Sequence, residues 1–101
     1  MKRKEIIEIV CNVCGIKKDS FVWDDYYGKR VEDGGYNRRR LKFWFVRRGE
    51  DVVKELNEKL KGVVMEGKRS YEIERVGVNS GEGGWGECMG GDICIYLKLK
   101  N

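Results

Sequence analysis

The chain has 101 residues, 41% hydrophobic and 38% charged, with 21 Lys and Arg against 17 Asp and Glu. That mix excludes a disordered chain of low hydrophobicity, and no stretch is long and apolar enough for a membrane-spanning helix. One domain over residues 1–101 is expected, and its net charge of +4 permits a basic patch without requiring one.

The N-terminus opens with the charges of a signal peptide but lacks its apolar core and cleavage site, so an intracellular location is expected. Residues 4–10, rich in Ile and Val, predict a strand leading into Cys11 and Cys14. A short strand is expected over residues 20–23. Asp24-Asp25-Tyr26-Tyr27-Gly28-Lys29 and Glu32-Asp33-Gly34-Gly35 have the composition of turns. Residues 36–46 form the longest strand candidate. Alternation sets Leu41, Phe43 and Phe45 on one side and Tyr36, Arg38, Arg40, Lys42 and Trp44 on the other.

Residues 50–61 carry the one convincing helical pattern, with Val52, Val53, Leu56 and Leu60 as its apolar stripe. Acidic residues open it and Lys59 and Lys61 close it, as the helix dipole favours, with Gly62 as the stop. Strands are predicted at 71–78 and at 92–100, where Ile93, Ile95, Leu97 and Leu99 alternate with Cys94, Tyr96, Lys98 and Lys100. The expected fold is α+β, a strand-rich sheet of order β-β-β-α-β-β packed by one helix. Leu41, Phe43, Phe45, Val53, Leu56, Leu60, Ile95 and Leu97 are its expected common core.

Ala, Thr, Pro, His and Gln are absent. In the standard code these are the five amino acids whose every codon contains cytosine. A cytosine-poor coding strand follows, consistent with a biased genome, a viral or mobile-element replicon, or a thermophile. Without histidine, Ser-His and Cys-His nucleophiles are excluded, and any metal must be held by thiolate or carboxylate. Nothing else suggests a catalytic cleft, so a non-enzymatic protein is expected.

The four cysteines form two pairs, Cys11 with Cys14 and Cys88 with Cys94. Cys11-Asn12-Val13-Cys14-Gly15 resembles the knuckle of zinc-ribbon and rubredoxin-like sites, although the second pair here is separated by five residues rather than two. The resemblance implies a structural zinc ion held by Cys11, Cys14, Cys88 and Cys94, stapling the two ends of the domain. Iron at the same sulfurs, disulfides, buried thiols and a two-cysteine redox pair are the alternatives. Gly81-Glu82-Gly83-Gly84-Trp85-Gly86 fits a dinucleotide fingerprint in letters only, since a strand rather than a helix follows it.

Tyr36, Arg38, Arg40, Lys42 and Trp44 combine cations for phosphates with rings for bases on one side of one strand. This is a known way to hold single-stranded nucleic acid, and Trp23, Tyr26, Tyr27 and Trp85 are further candidates. The expected function is therefore that of a small zinc-binding protein that binds nucleic acid, in regulation by a virus or mobile element. The alternative is a protein-interaction module, either a homodimer or an inhibitor of a host protein.

Overall fold

The computed structural model describes residues 1–17, 22–32, 34–43, 50–79 and 92–100. The predicted Phe45, Trp44 and Cys88 and the Gly81–Gly86 loop lie outside them.

The first element corrects the sequence reading. Residues 4–10 belong to a helix, α1 (Arg3–Cys14), not a strand. Ile6 and Val10, one helical turn apart, are both fully buried, and Cys11 lies beside them. The same Ile and Val run thus carries an i, i+4 stripe that outweighs its β propensity. The Glu5 carboxylate accepts the Lys2 N–H at 2.9 Å, satisfying a donor at the helix start. Gly15 ends the helix with φ +71, and the Ile16 N–H reaches back to the Cys11 carbonyl. The glycine read as part of a metal knuckle is therefore a helix C-cap.

Two strands follow, β1 (Val22–Arg30) and β2 (Tyr36–Phe43), paired antiparallel, with the Val31 N–H donating to the Gly35 carbonyl at 2.9 Å between them. Asp24 to Lys29, expected as a turn, lies inside β1 instead. Gly28, with φ +87, sits where the pairing shifts between Tyr27 and Arg30. A Cβ there would collide with the Asn37 amide oxygen, which accepts the Lys29 N–H at 2.8 Å. Glycine is needed at that bulge for both reasons.

The helix predicted at residues 50–61 is α2 (Glu50–Leu60). After it come a two-residue strand, β3 (Val64–Met65), which the sequence reading missed, then β4 (Tyr71–Asn79) and β5 (Asp92–Leu99). Among the described residues the order is α-β-β-α-β-β-β, with two helices rather than one. The five strands form one antiparallel sheet in the order β1-β2-β5-β4-β3. The final strand is thus inserted between β2 and β4.

Both helices lie on one face of this sheet. Ile6, Val10, Leu56 and Leu60 form a continuous core with Leu41, Phe43, Ile73, Val76, Ile93, Ile95 and Leu97 from the strands. Of the expected core, Leu41, Phe43, Leu56, Leu60, Ile95 and Leu97 are fully buried, and Val53 packs partly buried against them.

β4 contains a bulge that its sequence shows in outline. Tyr71 and Ile73 face the core at one parity, then Val76 at the other, with the pairing shift between Ile73 and Arg75. Just past it, α2 supplies a clamp. Asn57 Oδ1 accepts the Val76 N–H at 2.9 Å, and Asn57 Nδ2 donates to the Val76 carbonyl at 2.9 Å and the Val53 carbonyl at 3.0 Å. β3 pairs only as far as Glu72, so the amide takes the place of a neighbouring strand along this part of β4.

The chain start is held to the far sheet edge. The Met1 amino group donates to the Val64 carbonyl at 3.1 Å, and Glu66 N–H donates to the Met1 carbonyl at 2.8 Å. Among the described residues, no helix is long and apolar enough to cross a membrane.

Candidate nucleic-acid interface

The cysteines come first, because the structure separates them. Cys11 and Cys14 occupy the last turn of α1, and their three-residue spacing brings both thiols to one side of the helix. The Cys11 thiol donates to the Lys17 carbonyl at 3.5 Å. Burial pushes the Cys14 thiol up to about 11, with the Cys11 thiol and the Glu55 carboxylate adding to the effect. A helix C-terminus also disfavours a thiolate, the reverse of the arrangement at reactive CxxC pairs.

Cys94 lies across the sheet from this pair. In β5 it is paired with Lys42 and Gly77, whereas its neighbours Ile93 and Ile95 point to the helices. It is fully buried on the opposite face. Cys11 and Cys14 therefore lie on the helix side and Cys94 on the other face, while Cys88, the fourth expected ligand, lies outside the described residues. Among the described residues, no group of three or more Cys, Asp or Glu side chains is placed to hold a metal.

The face of the sheet away from the helices carries the other candidates. Register puts Trp23, Asp25 and Tyr27 of β1 beside Lys42, Arg40 and Arg38 of β2. These in turn lie beside Cys94, Tyr96 and Lys98 of β5, and then Gly77, Arg75 and Glu72 of β4. Arg38, Arg40 and Lys42 share this face, as alternation requires.

Their partners alter the expectation, however. Arg38 is ion-paired with Glu74, and Arg40 with Asp25. Burial opposes the charge on Arg40, but the hydrogen bond and charge of Asp25 outweigh it and raise the pKa. Arg40 also lies over the Tyr27 ring, 5.7 Å from its centre, while its Nε is buried with no hydrogen-bond partner among the described residues. The two arginines are thus largely committed within the fold, with Glu74 and Asp25 as their counter-charges, while Asp24 serves Arg39 and Arg3; neither aspartate is a turn residue. Tyr36, at the start of β2, is half-buried, and its carbonyl accepts the Tyr71 hydroxyl at 2.8 Å.

The rings on this face come from other strands. Trp23 is 55% exposed and Tyr27 37% exposed. Arg75 stacks on Tyr96 at 4.0 Å, a cation–ring pair that the β4 bulge turns outward. Lys98 is exposed at the same face. The sequence showed that Tyr96 and Lys98 oppose the core side of the last strand. It did not show that this strand lies beside β2, so their union with Lys42 was missed. Comparison with family models, curated proteins and solved structures finds no match to this chain.

Proposed function

We propose that this protein binds single-stranded nucleic acid across the face of the sheet opposite the helices, without catalysing a reaction. The observation that carries this reading is the exposed Trp23 ring directly across from Lys42, with Tyr27, Tyr96, Arg75 and Lys98 on the same surface. Rings stack on bases of any sequence, and lysines track the phosphates. The ion pairs shift the work from Arg38 and Arg40 to Lys42 and Lys98. The regulatory role and the viral or mobile-element origin suggested by composition fit this binding activity but rest on the sequence alone.

Fluorescence anisotropy with labelled single-stranded DNA and RNA tests the reading. Trp23→Ala should weaken binding by about 1–3 kcal/mol with little change in salt slope, as lost stacking does. Joint replacement of Lys42 and Lys98 by Ala should flatten the salt slope by about one to two units, because fewer counterions are released. Absence of saturable binding to either strand at low salt would overturn it. One observation favours a second reading as a homodimer: β1 is an edge strand bearing exposed Trp23 and Tyr26. A salt-insensitive dimer that does not bind nucleic acid would select that reading.

A further inference from the structure

A second site lies at the other side of the sheet, where β5 ends. There the β1–β2 turn and the turn before β4 approach each other around a cavity of about 350 Å³. Arg39, Lys68 and Arg69 line it, together with Tyr26, Tyr36 and Tyr71. Its remaining wall is the backbone of Gly34 and Gly35. Among the described residues lining it there is no carboxylate.

Two parts of the fold bring these cations there, β2 for Arg39 and the turn before β4 for Lys68 and Arg69. Arg39 projects from β2 on the helix side, where its side chain is 13% exposed. Its Nε donates to Asp24 at 2.9 Å, and its guanidinium lies over Tyr26 and Tyr71, 5.0 and 5.6 Å from the ring centres. Asp24 is shared with Arg3 at 3.1 Å, so one carboxylate serves two guanidinium groups and leaves excess positive charge. Arg69 crosses from the other turn and packs on Gly35, where an added Cβ would lie 2.8 Å from the guanidinium. Glycine is what allows that approach. Burial raises the Tyr71 pKa, and Tyr26 acts in the same direction, whereas Arg39 and Arg69 pull against them. Lys68 is exposed at the rim. Tyr26 is 45% exposed, which leaves part of its ring open to a ligand.

We infer that this cavity binds a phosphate ester carrying an aromatic ring, of mononucleotide size, with the phosphate held by Lys68 and Arg69 and the ring against Tyr26. The cavity volume is in the range of small-ligand sites. Guanidinium and ammonium donors suit phosphate oxygens, and tyrosine rings suit planar bases. The ligand is either a free mononucleotide or the 5′-terminal nucleotide of a strand. The site is on the helix side of the sheet and does not depend on nucleic-acid binding by the opposite face.

Isothermal titration of the full chain with AMP, adenosine and a 5′-phosphorylated or 5′-hydroxyl oligonucleotide tests this. AMP should bind saturably, and adenosine about tenfold or more weaker, since a charge-assisted contact is worth at least that factor. Lys68→Ala and Arg69→Gln should each weaken AMP by a similar factor in variants whose circular dichroism melts remain cooperative. Trp23→Ala should leave AMP binding unchanged, which separates this site from the opposite face. A preference for the 5′-phosphorylated over the 5′-hydroxyl strand identifies a strand end as ligand, and AMP binding without that preference identifies the free nucleotide. The inference is overturned if AMP does not saturate at millimolar concentration. It is equally overturned if AMP binding survives both cation replacements or is lost with Trp23→Ala.

Discussion

Asn57→Ala should destabilise the protein, although local propensity alone points the other way. Ala is a better helix former than Asn by roughly half a kcal/mol, so a reading limited to α2 expects a gain. The tertiary structure reverses the sign. The substitution removes both bonds to Val76, and with them the pairing of one N–H and one carbonyl on the outer edge of β4. Leaving a buried polar group unpaired costs about 1–3 kcal/mol, and this site is only partly buried. A net loss of about 2–4 kcal/mol is expected, large against a total stability of about 5–15 kcal/mol. Urea unfolding followed by tryptophan fluorescence measures it, with an unchanged m-value showing that the unfolded state is the same. Asn57→Asp keeps an acceptor for the Val76 N–H but turns a carboxylate toward the Val76 and Val53 carbonyls. It should cost at least as much at neutral pH and less on acidification, when the acid can again donate. A stabilised Asn57→Ala variant, or one within half a kcal/mol of the parent (about the propensity difference), would refute the clamp.

Four further outcomes follow from the same structure. Gly28→Ala should cost about 1–3 kcal/mol in the same unfolding assay, because the positive φ and the Asn37 amide both oppose a side chain there; a neutral result would remove the bulge geometry. Cys14 should alkylate about 100-fold more slowly in the native than in the unfolded protein below pH 9, since its thiol is pushed from 9.0 to about 11. The native state retains the Cys14 proton longer, so relative to Cys14→Ser the parent should lose stability as pH rises from about 9 through about 11, and a relative gain over that range would contradict the assignment. Cys11→Ser and Cys94→Ser should combine additively to within about half a kcal/mol, as distant sites do, whereas a shared metal would couple them strongly.

How much of this was legible in the sequence differs from element to element. α2 could be read because its apolar stripe, charged ends and terminal glycine all agree, and β5 because its alternation is unbroken. α1 was misread because Ile and Val satisfy a strand by composition and a helix by spacing, and a helix needs something to bury its stripe. That partner is α2 and the inner face of the sheet, elements distant in sequence. β1 was misread for a related reason. Asp24, Asp25 and Gly28 look like a turn in isolation, but the arginines of β2 and Arg3 of α1 neutralise the acids, and a bulge absorbs the glycine.

The candidate sites divide along the same line. Alternation by itself determined that Arg38, Arg40 and Lys42 share one side of β2, because side-chain direction in a strand has a period of two. It likewise determined the inward rows of Leu41, Phe43, Ile95 and Leu97. Only the tertiary structure decided that Glu74 and Asp25 occupy two of those cations and that Trp23, Tyr96 and Lys98 join the third. Only it placed Cys94 across the sheet from Cys11 and Cys14, and brought Arg39 and Arg69 to one cavity. Periodicity is a local property of the backbone and can be read from neighbouring residues. Which strand lies beside which is set by burying all the apolar faces at once, and that is a property of the whole chain.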